Sequence, residues 1–169
     1  LDIKLDKMHM EENKWKLPLY KIYSDDEDVN LVTKIIKRGE RWAIGPEIEE
    51  FENEIKNYVG VDYCLTLNSG TSALHALLLA YDIGKNDEVI VPSFSFISTA
   101  NSVLFVDGIP KFSDIEDDTL GLDPNLVSNN ITAKTKAIIP IDYAGLPCKI
   151  HDLKKISQEN NVVLIEDAA

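Results

Sequence analysis

Residues 66–74, Thr66-Leu67-Asn68-Ser69-Gly70-Thr71-Ser72-Ala73-Leu74 (TLNSGTSAL), change character within a few positions. The run that leads into them, Val61 to Leu67, is mainly apolar, stops at Asn68 and predicts a buried strand. The run after them, Ala73 to Ala80, is rich in Ala and Leu and predicts a helix over Thr71–Tyr81. Hydroxyl groups and a glycine lie at the junction. In an open α/β sheet, ligands sit outside the carboxyl ends of the strands. A helix starting there offers unpaired N–H groups and the positive end of its dipole. Gly70 allows close backbone approach, and Thr71 and Ser72 add hydroxyl donors, so the stretch suits a phosphate dianion. Ser/Thr capping with a glycine turn explains the same residues without a ligand.

Working outward, the strand-helix alternation continues to the end of the 169-residue chain. Further strands are expected at Glu88–Val91, Pro110–Ser113, Ala137–Ile141 and Val162–Glu166, and helices at Ser98–Val106, Pro124–Ile131 and Ile150–Asn160. Asn129-Asn130 weakens the third of these four helices, counting from Thr71. Val89-Ile90-Val91 and Val162-Val163-Leu164-Ile165 are continuously apolar, the mark of strands covered on both faces. The expected fold class is therefore α/β, three-layered, with a mainly parallel sheet. The chain stops at Ala169, directly after a predicted strand that would ordinarily feed a covering helix, so the domain reads as incomplete.

Upstream the pattern is helical. Ser24 with Glu27 reads as a capping box, Val29, Val32, Ile35 and Ile36 as the apolar stripe, and Gly39 as the stop. A loop containing Trp42 follows. Pro46 opens a second helix with Ile48, Phe51, Ile55 and Tyr58 on one face and Gly60 at its end. Three segments result: a polar extension over 1–15, a helical segment over 16–60, and the α/β part over 61–169.

Composition narrows the function. The formal net charge of −12 opposes a nucleic-acid surface, which needs clustered Lys and Arg. Lys34, Lys37, Arg38 and Arg41 form a local basic group that suits a helix end. No apolar run approaches the roughly 20 residues of a membrane span. Cys64 reads as a reduced core residue and Cys148 as a loop residue; neither has CxxC spacing, so zinc and redox motifs are not expected. His75 lies in an apolar helix and reads as a packing residue.

Two more strand ends carry chemistry. Pro92-Ser93-Phe94-Ser95-Phe96 brings aromatics to the sheet edge, where one could stack on a planar ring. Glu166 and Asp167 bring carboxylates, costly behind a buried strand unless paired. A phosphate cradle, an aromatic plate and a carboxylate for a protonated ring nitrogen together describe a pyridoxal-phosphate site.

With these segments in order, the sequence resembles the DegT/DnrJ/EryC1/StrS family of pyridoxal-phosphate-dependent sugar aminotransferases. The segments are KLPLYKIYSDDEDVNLVTKIIKRGE, GPEIEEFENEIKNYVGV, LNSGTSALHALLLA, DEVIVPSFSFISTANSVLF, TKAIIPIDYAG and IEDAA. The resemblance implies an aspartate aminotransferase-like (type I) large domain. It implies phosphate binding by Thr71 and Ser72 with Gly70 shaping the turn, stacking by Phe96 with Phe94 as second choice, and Asp167 at the pyridine nitrogen. Trp42 to Gly45 would border the substrate. The IDYAG form, Ile141 to Gly145, is similar to members acting on nucleotide-linked 4-keto-6-deoxy sugars. An amino-acid donor such as glutamate, a cytoplasmic location and a homodimer with shared active sites are implied as well. The family's cofactor-linking lysine lies beyond the IEDAA segment, so no residue of 1–169 matches it, and this stretch alone is expected to be inactive. A dehydratase of the same family, with histidine in place of that lysine, and a non-catalytic ligand- or partner-binding chain are the alternatives.

Overall fold

The computed structural model describes residues 21–169. The polar extension over 1–15 and the first residues of the helical segment lie outside them. The chain divides between Cys64 and Leu65 into two compact units.

The first unit contains α1 (Asp26–Arg38) and α2 (Pro46–Val59). Local chemistry writes both. Asp25 caps α1: its Oδ1 accepts from the N–H groups of Glu27 at 2.9 Å and Asp28 at 3.3 Å, and Asp28 Oδ2 accepts from the Asp25 N–H at 3.0 Å. The capping box is therefore one residue later than the expected Ser24–Glu27, because a carboxylate is the stronger acceptor at a positive helix end. Those backbone bonds, with Asp28 first, hold the Asp25 carboxyl below its usual range. Gly39 and Gly60, both at φ 77°, end the two helices as expected. Arg38 does more than complement a dipole. Its guanidinium donates to the carbonyls of Glu40 at 3.0 Å and Arg41 at 2.9 Å and pairs with Glu47 at 2.5 Å, which closes the loop between the helices.

The second unit is layered. Helix α3 (Gly70–Ala80) precedes a four-stranded sheet of β1 (Glu88–Pro92), β2 (Ile109–Ser113), β3 (Thr135–Ile138) and β4 (Val163–Leu164), in the order β2-β1-β3-β4. All pairings are parallel, with Glu88 opposite Ile109, Val89 opposite Ala137 and Ile138 opposite Leu164. The crossovers are α4 (Ser98–Phe105), α5 (Pro124–Asn130) and α6 (Ile150–Asn160). Period-two alternation divides the core. Val89 and Val91 join Leu74, Leu78, Val103, Ala137 and Ile139 on the α3/α4 face. Ile90 and Ile138 join Leu122, Val127, Leu153 and Val162 on the α5/α6 face. The expected three-layer α/β arrangement is present. Its topological switch lies between β1 and β3, where the connections leave for opposite sides.

Several expectations need correction. Val61–Leu67 is not a strand: it pairs with no strand among the described residues, and Val61, Tyr63 and Leu65 are exposed. Strand preference reflects a pleated surface to pack on, and this run has none there. Cys64 is accordingly only half-buried, whereas Cys148 is buried; both are free thiols. β3 stops at Ile138, short of Ile141, because Pro140 has no N–H for the ladder. β4 shrinks to two residues, yet its pairing runs on: the N–H groups of Ile165 and Asp167 donate to the carbonyls of Ile138 at 3.0 Å and Pro140 at 2.9 Å. Asn129-Asn130 does not break α5. Asn130 Nδ2 donates to Ser113 Oγ at 3.1 Å and ties the helix end to β2.

Candidate functional site

The carboxyl edge of the sheet in the second unit gathers the start of α3, the loop after β1, the start of α4 and the residues after β3 and β4. Ser69 caps α3, its Oγ accepting from the Ser72 N–H at 3.1 Å and lying 3.0 Å from Ser72 Oγ. The N–H groups of Gly70 and Thr71 belong to the first turn, which has no intrahelical carbonyl to meet. A Cβ added at Gly70 would meet nothing within 4 Å, so the approach to this turn is open. Thr71 Oγ1 is 2.7 Å from Ser98 Oγ, which links the first turns of α3 and α4. The capping role of Ser69 and a row of hydroxyls on Ser69, Thr71, Ser72 and Ser98 thus coexist.

Asp167 follows β4 and forms a parallel bridge with Ile141. Its main chain is fixed on both sides, donating to Pro140 and accepting from the Asp142 N–H at 2.9 Å. Both carboxylate oxygens receive donors: Oδ2 from Thr99 Oγ1 at 3.2 Å and Oδ1 from the Ala169 N–H at 3.3 Å. Thr99 in turn lies 2.7 Å from Ser95 Oγ. An ionised carboxylate has roughly four lone-pair positions, so Asp167, half-buried, retains capacity for a third donor.

The two aromatics of the β1 loop differ. Phe94 lies against Tyr143, with ring centroids 4.5 Å apart. Phe96 is 73% exposed and free to present a face. Glu166 precedes Asp167 and interacts with Asp142. Its carboxyl is raised above the usual range, first by burial and then by a hydrogen bond and repulsion from Asp142. Burial, followed by Asp142, also pushes the Cys148 thiol up to about 12, which leaves it a neutral packing group. His75 packs edge-on against Phe105 at 5.7 Å, as its helix pattern suggested. No group of His, Cys, Asp or Glu among the described residues could hold a metal.

Trp42 and Gly45 lie in the first unit. Trp42 is 64% exposed. Gly45 is the N-cap of α2, and a Cβ there would collide with the Arg38 and Glu47 side chains and the Arg41 carbonyl, so the position has a packing reason of its own.

Gly70, Thr71, Ser72, Phe96 and Asp167 are thus all placed along one sheet edge. Sequence reading missed Ser95, Ser98 and Thr99. The four-residue spacing of Ser95 and Thr99 was visible, but the partner of Thr99 68 positions away was not. A hydroxyl-lined helix start beside a donor-supported carboxylate, at the switch point of a parallel sheet, can accept a phosphorylated heterocycle with a protonated nitrogen.

The chain belongs to the DegT/DnrJ/EryC1/StrS aminotransferase family, whose match covers residues 23–169. It is 36% identical over 154 residues to an uncharacterized protein of Methanocaldococcus jannaschii, covering 90% of this chain and 39% of that protein. Among solved structures it is similar to 3-amino-5-hydroxybenzoic acid synthase, with 33% identity and a TM-score of 0.82 over 91% of this chain and 40% of the other. It is also similar to NtdA from Bacillus subtilis with its cofactor PMP (pyridoxamine phosphate) bound, with 30% identity and a TM-score of 0.79 over 90% and 38%. The chain therefore spans about two-fifths of the length of these relatives. The layered parallel α/β fold expected from the sequence is the one it shares with them.

Proposed function

We propose that residues 61–169 are the first part of a pyridoxal-phosphate-binding large domain, in an enzyme that moves an amino group onto a keto carbon of a nucleotide-activated 4-keto-6-deoxy sugar. An amino acid such as glutamate is the donor, and the working form is a cytoplasmic homodimer. The observation that carries the cofactor reading is Asp167: a carboxylate on a strand end, with both oxygens already supported and room for one more donor, beside the open α3 turn. The residues present fit the group. The Gly70 and Thr71 N–H groups and the Thr71 and Ser72 hydroxyls would hold the phosphate, Phe96 would cover the ring, and Asp167 would keep the ring nitrogen protonated. The bound cofactor would supply an electron sink for the carbon that exchanges its amine.

This chain's own residues bind and orient. The α3 turn fixes one end of the cofactor by hydrogen bonds and dipole. Asp167 holds a proton at the other end. Trp42 and Gly45 belong to the substrate side in this reading. Among the described lysines, Lys149 is engaged by Glu116 at 2.7 Å and Asp118 at 3.2 Å, and Lys155 lies 3.9 Å from Glu159. We assign the cofactor-linking role to none of them, so the stretch by itself would bind cofactor without turning it over.

The substrate reading is tested by incubating the protein with pyridoxal phosphate, glutamate and a nucleotide-linked 4-keto-6-deoxy sugar, with mass spectrometry of the sugar. An aminated sugar nucleotide is expected once the cofactor-linking lysine is present. Cofactor binding with no amination of any such sugar by a protein that carries that lysine would overturn the substrate class and leave the cofactor reading standing.

A further inference from the structure

Thr99 is 2% exposed at the start of α4, and a polar side chain buried so fully requires partners. It has two: Ser95 Oγ at 2.7 Å and Asp167 Oδ2 at 3.2 Å. Proton counting sets the direction. A hydroxyl has one hydrogen, and an ionised carboxylate only accepts. Thr99 therefore gives its hydrogen to Asp167, and Ser95 gives its own to Thr99. The chain of donors runs one way, from Ser95 through Thr99 to the carboxylate.

Thr99 itself cannot easily turn. Its N–H donates to the Phe96 carbonyl at 3.2 Å, and its carbonyl accepts from the fully buried Ser102 hydroxyl at 2.9 Å. Its β-branch restricts χ1. The other contact on the carboxylate is the longer one, from the Ala169 N–H at 3.3 Å. Oδ2 is thus held by a restricted side chain and Oδ1 by a backbone N–H.

We propose that Thr99, oriented by Ser95, is a positioning residue that fixes the Asp167 carboxylate for the ring nitrogen of the cofactor. This rests on the pyridoxal-phosphate reading above. Thr99 touches neither cofactor nor substrate in this role; it acts through Asp167. A hydroxyl pair that merely satisfies the start of a helix would be indifferent to Asp167, and that difference is measurable.

The test titrates PMP, which needs no lysine link, into the wild type, Thr99→Val, Thr99→Ser, Ser95→Ala, Asp167→Ala and the Thr99→Val/Asp167→Ala double variant. The bound-state chemical shift of ring-15N-labelled PMP is read alongside. Thr99→Val is expected to weaken PMP binding about tenfold, and Thr99→Ser to restore it to within about twofold. The ring-nitrogen signal should move toward the unprotonated position in Thr99→Val and return in Thr99→Ser. In the Asp167→Ala background, Thr99→Val should cost less than about twofold, since the two act as one unit. Ser95→Ala should weaken binding about threefold and carries the test should Thr99→Val not fold.

Equal losses from Thr99→Val with and without Asp167 would overturn the inference, as would a Thr99→Ser protein no better than Thr99→Val. If wild type binds PMP and Asp167→Ala binds it equally well, the role of Asp167 fails and this inference falls with it. If wild type does not bind PMP at all, the cofactor reading itself has failed.

Discussion

The two units of this chain are held by different kinds of chemistry. Helices α1 and α2 contain no buried residue, yet both are sharply bounded: Asp25 with Asp28 starts one, Pro46 starts the other, and Gly39 and Gly60 at φ 77° stop them. In the second unit capping is uneven: Ser69 caps α3 and Asp123 caps α5. Ile97, before α4, makes no side-chain cap, and neither does Lys149 before α6. Yet Leu78, Val103, Val127 and Leu153 on α3–α6 are fully buried against the sheet. Local hydrogen bonds define the first pair of helices, and burial defines the layers around the sheet. A helix can be specified by its ends, by its face, or by both, as α3 is by the Ser69 cap and the buried Leu78.

The largest test of that contrast is a pair of truncations. Leu78→Ala removes a fully buried side chain between α3 and the sheet and should cost about 2–5 kcal/mol in urea unfolding. Phe51→Ala on the exposed face of α2 should change stability by less than about 1 kcal/mol. Comparable losses at both positions would erase the distinction. Gly121→Ala comes next. A Cβ there would lie 2.5 Å from the Cys148 Cβ, a contact between two crowded loops, and the overpacking should cost about 1–3 kcal/mol, read as a lower thermal midpoint. Gly70→Ala, where nothing lies within 4 Å, serves as the control for stability.

The reach of sequence reading follows the same division. Caps, prolines and glycines are local, so the ends of α1 and α2 were legible to within a residue, including the stop at Gly39. The error there, Ser24 for Asp25, was a choice between neighbouring acceptors. The apolar run of β1 was legible because two-sided burial writes a continuous pattern. Val61–Leu67 carries a similar pattern with no sheet to pack on, and sequence alone gave no means of seeing that. Among the candidate site residues, Asp167 was proposed from its place after a predicted strand that is present, whereas Thr71 and Ser72 were proposed from theirs after Val61–Leu67, which is not a strand. Thr99 was not legible, because its meaning depends on a contact across 68 positions. Phe94 packs against Tyr143, and Phe96 is the more exposed of the two.

Two smaller effects sharpen the contrast. Asp25→Ala should give faster amide exchange in α1 without loss of the sheet. A global loss would mean the cap supports more than its own helix. Glu116 contributes to the pH dependence of the second unit. Lys149 first, then Thr119, hold its carboxyl down from the ordinary 4.5 to about 2. A carboxyl lowered by folding stabilises above its unfolded value, and that contribution is lost as pH falls from 4.5 through about 2. Glu116→Gln should therefore flatten the acid limb of the stability curve in that window, measured by thermal unfolding from pH 6 to pH 2. An unchanged acid limb would remove Glu116 from the account.

The central claim is that the carboxyl edge of the sheet holds a phosphorylated pyridine cofactor between the α3 turn and Asp167. The most direct measurement is calorimetric titration of PMP into the wild type, Thr71→Val and Asp167→Ala, with folding checked by circular dichroism. The account predicts one saturable site in the wild type, weakened about tenfold or more by each substitution, because each removes a hydrogen bond to a charged group. Folded variants that bind PMP as tightly as the wild type would contradict it.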